Sequence, residues 1–315
     1  MAQPIKNLPT KGSALKLFHV LMGTTDTRAL NLFDDNSLNL MLAASMQTFD
    51  TRWKKNLPLI QRKKKLLYSD SGMIGWLKKL KQSAWKYATD PQRVLDIQIQ
   101  INPDIIAHVD IPCEPRSLEM LNRSREEAIQ QTIKNAVWLI EKKESGSPEL
   151  KNKIIAIGIQ GFTVDDYHCC LDSYRDKNID ELDPDKYWFA IGSVCMRKPP
   201  DLYEIAQFIR QALPPQFHIH CYGIANLPWI LQLENMGIGS CDSATANFAA
   251  AMFRIIDEGG KQGRINLTIK DTNMKSSMFA FNMASLEFQL KNRMTPVMDE
   301  LFFDQSEQME LMDFS

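Results

Sequence analysis

A chain of 315 residues, 44% hydrophobic and 24% charged, has the composition of a core-forming protein, long enough for one large domain or two medium ones. These figures exclude disorder, collagen-like repeats and a small disulfide scaffold. A net charge of -1, from 37 Lys and Arg against 38 Asp and Glu, argues against a phosphate-rich partner until the distribution along the chain is considered.

From the N-terminus, Met1–Lys6 shows no charged segment followed by an apolar core, so no secretory leader is expected. No run reaches the roughly 18 apolar residues of a membrane span. Short apolar runs predict strands at Leu15–Met22, Leu38–Ala44, Leu66–Ser69, Val94–Gln100 and Ile105–Asp110. Further strands are predicted at Ile154–Ile159, Trp188–Ile191, Phe217–Tyr222 and Gly237–Cys241. Between them Leu118–Glu141, Leu202–Ala212 and Pro228–Asn235 repeat their apolar residues at three and four and predict helices. The alternation implies a mainly parallel α/β sheet, and about eight units in roughly 250 residues predict a closed (β/α)8 TIM barrel over residues 1–272. Residues 273–315 predict a short C-terminal helical extension and an acidic tail. The six cysteines, Cys113, Cys169, Cys170, Cys195, Cys221 and Cys241, form no C-x-x-C pair and predict free thiols in a reducing cytoplasm.

Charge is unevenly placed. Residues 52–86 carry Arg52, Lys54, Lys55, Arg62, Lys63, Lys64, Lys65, Lys78, Lys79, Lys81 and Lys86, with Asp70 as the only acid. Trp53, Tyr68, Trp76 and Trp85 are interleaved with them. Such a segment predicts phosphate neutralisation and base stacking, with Arg62, Lys63, Lys64, Lys65, Lys78 and Lys79 as nucleic-acid contacts. A merely solvated basic face is the plainer alternative.

In a (β/α)8 barrel, chemistry sits at the C-terminal ends of the strands. Those ends read Tyr68-Ser69-Asp70-Ser71-Gly72, His108-Val109-Asp110, Gly158-Ile159-Gln160-Gly161, Ile191-Gly192-Ser193, Cys221-Tyr222-Gly223 and Ser240-Cys241-Asp242-Ser243. Any one Asp there is commonly a helix N-cap. Three carboxylates, an amide and several glycines around one mouth predict a pocket. Two carboxylates can serve as nucleophile and acid/base at an anomeric carbon, through an oxocarbenium-like transition state and a covalent intermediate. A third carboxylate and a Gln amide suit a purine edge, and glycines let a flat base approach the backbone.

The ordered motifs Asp-Ser-Gly, Asp-x-x-Cys-x-Pro, Gln-Gly, Ile-Gly-Ser, His-x-Tyr-Gly-Ile and Gly-Ile-x-x-x-Asp-Ser over residues 15–250 resemble the tRNA-guanine transglycosylases. Within that superfamily the chain looks most like the DpdA-type enzymes that insert 7-deazaguanine bases into DNA. The resemblance implies Asp242 as the nucleophile at C1′ of the target guanosine and Asp70 as general acid/base. It implies that Asp110 and Gln160 read the purine edge, with Gly192, Ser193, Ser71 and Gly223 lining the pocket. Ile74 and Tyr222 occupy the positions that sandwich the base. The family's Asp-Ser-Gly-Gly-[Phe/Tyr]-Gln becomes Asp70-Ser71-Gly72-Met73-Ile74-Gly75, and no Cys or His follows Asp242, so the zinc subdomain of the tRNA enzymes is not expected. The implied partners are DNA, with tRNA as the alternative, a preQ0-like 7-deazaguanine base and helper proteins. No cofactor and no membrane are implied.

Three competing readings stand beside this one: an enzyme of tRNA, a non-catalytic nucleic-acid-binding accessory subunit, and a metal-dependent barrel amidohydrolase. The last would use His218, His220 and Asp242 as ligands. Packing or support of a neighbouring group is the plainer role for the two histidines, and a buried neighbour is the plainer role for Cys241.

Overall fold

Alternating strands and helices give a closed barrel of eight parallel strands in the computed structural model of the protein. The structure describes residues 15–22, 24–45, 53–195, 197–224, 226–252, 254–256, 262–264 and 272–292. The barrel strands are β1 (Lys16–Val20), β2 (Leu38–Ala43), β3 (Lys64–Asp70), β4 (Ile105–Ala107), β5 (Ile154–Ile159), β6 (Tyr187–Ile191), β7 (Ile219–Cys221) and β8 (Ser240–Ser243). Each pairs with the next, and β1 pairs with β8 to close the ring. The helices are α1 (Thr24–Ala29), α2 (Trp53–Lys63), α3 (Met73–Leu80), α4 (Trp85–Ala88), α5 (Pro91–Ile101) and α6 (Pro115–Leu121). They continue as α7 (Arg125–Glu144), α8 (Val164–Arg175), α9 (Pro199–Ala212), α10 (Leu227–Asn235), α11 (Thr245–Ala251) and α12 (Thr272–Asn292). The short antiparallel strands β9 (Arg254–Ile256) and β10 (Gln262–Arg264) lie between the last two helices.

Eight of the nine predicted strands belong to the barrel. Val94–Gln100 does not: it lies in α5. Its alternating Leu95, Ile97, Ile99 and Ile101 mimic a strand, but Asp90 caps the segment and Pro91 opens it. Val94, Gln98 and Ile101 then fall on one buried helical face. Gln98 donates to the carbonyls of Ser69 (3.1 Å) and Ala107 (2.9 Å), bracing β3 and β4 beside the site. The single helix predicted over Leu118–Glu141 is two. Asn122, at φ +53°, ends α6, and the Ser124–Glu127 capping box starts α7.

The layer between strands and helices is aliphatic. The lumen holds a second cluster that includes Phe18, Met41, Tyr68, Ile105, Ala156 and Trp188. On the β7–β8 side it turns polar, with His218, His220, Ser240 and Asp242 all buried. The helical extension packs on α1 and α11. Its buried Asn282 accepts from the Ile256 N–H (2.7 Å) and donates to the carbonyls of Arg254 (3.1 Å) and Ala246 (3.3 Å). The expected acidic tail lies outside the described residues.

Candidate active site

The three carboxylates expected at strand ends converge. Asp70 is the last residue of β3, Asp110 follows β4 by three positions, and Asp242 lies in β8. Asp70 accepts from the Gly72 N–H (3.1 Å). Gly72 sits at φ +76° against Ser45, whose backbone nitrogen would lie 2.7 Å from any Cβ there, so the tight Asp-Ser-Gly turn requires glycine. Burial, followed by the charges of Asp110 and Asp242, pushes the Asp70 carboxyl up to about 7. A carboxyl in that range can give or take a proton near neutrality.

Asp110 anchors a second chain of contacts. It accepts from Ser71 Oγ (3.1 Å) and from Gln160 Nε2 (2.5 Å). Gln160 Oε1 accepts from Ser193 Oγ (2.6 Å), and Ser193 Oγ accepts from the Cys113 N–H (2.8 Å). A Cβ on Gly192 would overlap the Gln160 amide, so glycine there makes room for the glutamine. Ser193 holds a left-handed φ of +56°, a strained conformation for a side-chain-bearing residue that these contacts secure. The remaining amide hydrogen of Gln160 and the remaining lone pairs of Asp110 are the groups a purine edge needs: a donor for a carbonyl, acceptors for N–H groups.

Asp242 accepts at Oδ1 from the Gly223 N–H (3.0 Å) and from His220 Nε2 (3.1 Å). Gly223, at φ +70°, packs its α-carbon against Cys195 and leaves no room for a side chain. Tyr222 donates to or accepts from the Tyr68 hydroxyl (2.7 Å), and its ring meets His220 edge-on at 4.8 Å. Its phenol is held far above the usual range, first by burial and also by the charges of Asp110 and Asp70, so it lies in the field of the site. Ile74, in the first turn of α3, is exposed.

Sequence reasoning passed over several contributors. Glu114 Oε2 accepts from Ser193 Oγ at 3.2 Å, and burial raises its carboxyl above the usual range. His108 accepts at Nε2 from the Gly158 N–H (2.7 Å), so Nδ1 carries the hydrogen that meets the Val109 carbonyl (3.0 Å). Tyr167 donates to the Gly192 carbonyl (2.7 Å). Polar residues at alternate positions of two consecutive strands, His218 and His220 beside Ser240 and Asp242, were the available signal for the polar side of the lumen.

The basic segment is not brought together. Arg62 and Lys63 end α2 and Lys64 and Lys65 begin β3, about 20 Å along the strand from Asp70. There Lys64 pairs with Asp104 (2.8 Å), Lys63 meets Asp35 (2.8 Å) and the Phe33 carbonyl (2.5 Å), and Arg62 meets Asp35 (3.5 Å). Trp53, Tyr68 and Trp76 are fully buried, so they are core and offer no face to a nucleic-acid base. Lys78 and Lys79 do follow Asp70 closely, on α3, and the Lys78 charge is felt at Cys195 beside Gly223. All six thiols are free; the Cys241 thiol is pushed well up by burial and held protonated, unlike a nucleophile.

Both imidazoles of the His218–His220 pair meet Ser240 Oγ rather than converging on a common outward point. Among the described residues no group of three or more His, Cys, Asp or Glu is arranged to hold a metal ion, and no helix is long and apolar enough to cross a membrane.

Comparison with known proteins agrees with this geometry. No curated protein matches the chain. The model of the family described as queuine tRNA-ribosyltransferase matches residues 80–285, more than half of the chain. The matched span contains Asp110, Gln160, Gly192, Ser193, Tyr222, Gly223 and Asp242, while Asp70 precedes it. The chain belongs to this family, within the tRNA-guanine transglycosylase superfamily, and is a guanine transglycosylase on a (β/α)8 barrel.

Proposed function

We propose that the protein exchanges guanine in a polynucleotide, with DNA as the favoured substrate, for a 7-deazaguanine base through an ester to Asp242. The observation that carries this reading is the meeting of three carboxylates at one mouth, in which Asp242 has one oxygen held by two N–H groups and Asp70 titrates near neutrality. In the first half-reaction a carboxylate oxygen of Asp242 forms a bond to C1′ as the C1′–N9 bond breaks, and protonated Asp70 gives its proton to the departing guanine. In the second, Asp70 takes the N9 proton of the incoming base. N9 then bonds to C1′, and the electron pair of the C1′–O bond returns to Asp242. Two inversions give retention. Asp110 and Gln160 hold the purine edge, and Tyr222 with Ile74 flanks its faces.

DNA is favoured by the resemblance of the ordered motifs around Asp70, Asp110, Gln160 and Asp242 to the DpdA-type enzymes. A base within a duplex must be flipped out, at a cost of a few kcal/mol. Lys78 and Lys79, on the helix that follows Asp70, are the cations this reading assigns to the flanking phosphates. The free thiols fit a cytoplasmic enzyme. The test is incorporation of labelled guanine into duplex DNA and into a tRNA transcript, with nucleoside mass spectrometry of the products. Exchange into DNA alone supports the reading; exchange into tRNA alone moves the enzyme to its alternative substrate. Incorporation into neither, with or without cell extract to supply helper proteins, contradicts it.

A further inference from the structure

The polar column on the β7–β8 side of the lumen is a continuous chain. His218 Nε2 meets Ser240 Oγ at 2.7 Å, Ser240 Oγ meets His220 Nδ1 at 2.9 Å, and His220 Nε2 meets Asp242 Oδ1 at 3.1 Å. Its surroundings are aromatic: Trp188 packs tilted against His218 at 3.7 Å, Tyr68 packs tilted against His220 at 4.8 Å, and Phe18 meets His220 edge-on. Buried polar groups in such a setting are costly unless every hydrogen has an acceptor.

The far end decides the direction of the chain. His218 Nδ1 is buried and has no hydrogen-bond partner. A hydrogen on that atom would be an orphaned donor, a rarer and costlier defect than a bare lone pair. The hydrogen of His218 therefore sits on Nε2 and points at Ser240 Oγ. Ser240 in turn donates to His220 Nδ1, which leaves His220 Nε2–H to donate to Asp242. Every hydrogen in the column points toward the carboxylate.

This makes the two oxygens of Asp242 unequal. Oδ1 receives two donors, His220 Nε2–H and Gly223 N–H, whereas Oδ2 makes no hydrogen bond among the described residues. We propose that the His218–Ser240–His220 column reserves Oδ2 for attack on C1′ and makes Oδ1 the oxygen that collects negative charge when the aspartyl ester departs. His220 is then a positioning residue whose chief effect falls on the second half-reaction. As the C1′–Oδ2 bond breaks, its electron pair spreads to Oδ1, where the two N–H groups stabilise it as donors at an oxyanion do. The same donors also engage the free carboxylate before attack, a smaller effect on the first step. This inference rests on the reading of Asp242 as nucleophile.

The experiment compares wild type, His220→Phe, His220→Gln and Ser240→Ala by rapid denaturing quench with a labelled guanine-containing DNA duplex, a labelled tRNA transcript being run in parallel. His220→Phe keeps an aromatic body and loses the donor. It is expected to slow turnover on the order of 100-fold with little change in kcat/KM for the polynucleotide, while the steady-state fraction of covalent protein–polynucleotide adduct rises. His220→Gln, which keeps an N–H, is expected to recover at least part of the rate. Ser240→Ala, which frees the tautomer of His220, should fall between. Equal turnover and equal adduct in wild type and His220→Phe would overturn the inference, and so would a loss of rate with less adduct. Exchange that survives Asp242→Ala would instead remove the nucleophile reading beneath it, so the two failures are distinct. Independently of any variant, 15N imidazole shifts of the wild-type protein must show the Nε2–H tautomer at both His218 and His220; an Nδ1–H tautomer at either contradicts the column.

Discussion

The two ends of β3 carry opposite charge under opposite rules. At its start, Lys64 faces Asp104, whose second oxygen also accepts the Leu67 N–H, and Lys63 is buried against Asp35 and a carbonyl. Both of these cations have a carboxylate acceptor. At its end, Asp70 shares the mouth with Asp110 and Asp242, whose hydrogen bonds among the described residues come from Ser71, Gln160, His220 and backbone N–H groups. Burial and then the neighbouring like charges raise the Asp70 carboxyl instead of stabilising the fold. Matched charge marks the structural end of the strand, and unmatched charge marks the chemical end.

Substitutions should break this comparison cleanly. Asp242→Ala at the chemical end is expected to lower guanine exchange by about 10,000-fold or more, as loss of a covalent nucleophile does, in a protein that stays folded. Radiolabelled exchange and calorimetry check both halves. Gly192→Ala comes next: the added methyl displaces the Gln160 amide, and the apparent affinity for the incoming base should fall on the order of 100-fold, read as a rise in its KM while the protein stays folded.

Asp70→Asn should slow exchange by about 100- to 10,000-fold and also change stability in a defined direction. The folded protein holds this carboxyl at about 7, above its unfolded value, so its contribution is intact in acid and is lost as pH rises through about 7. Asn removes that loss. The variant should therefore be more stable than wild type at pH 8, by up to about 4 kcal/mol, and should lose this advantage below about pH 4. Urea melts at the two pH values test the sign. At the structural end, Lys64→Met should cost about 1–3 kcal/mol of stability with exchange unaltered, because Asp104 loses its partner. The smallest effect is expected from exposed Lys65→Ala, within about 0.5 kcal/mol and without change in polynucleotide affinity.

Much of this was legible in the sequence. Asp70, Asp110, Gln160 and Asp242 could be placed because short apolar runs end in polar residues, and a barrel sends all such ends to one mouth. The faces of the aromatic residues were not legible. Trp53 and Trp76 stand among lysines in the chain, yet both are core, since the helical turn of about 100° per residue points sequence neighbours in different directions. Nor was the pairing of Lys64 with Asp104, forty positions away, or the rank of Val94–Gln100, where Asp90 and Pro91 outweigh an alternating pattern. The direction of the His218–Ser240–His220 column depends on a single orphaned nitrogen, which only packing reveals.

The central claim is that Asp242 carries the sugar between two bases. The most direct measurement is to quench the enzyme with denaturant during exchange, digest it, and map the glycosylated peptide by mass spectrometry. The account predicts one adduct, on Asp242, that is absent from Asp242→Asn. An adduct on another residue, or turnover with retention and no adduct on Asp242, would contradict it.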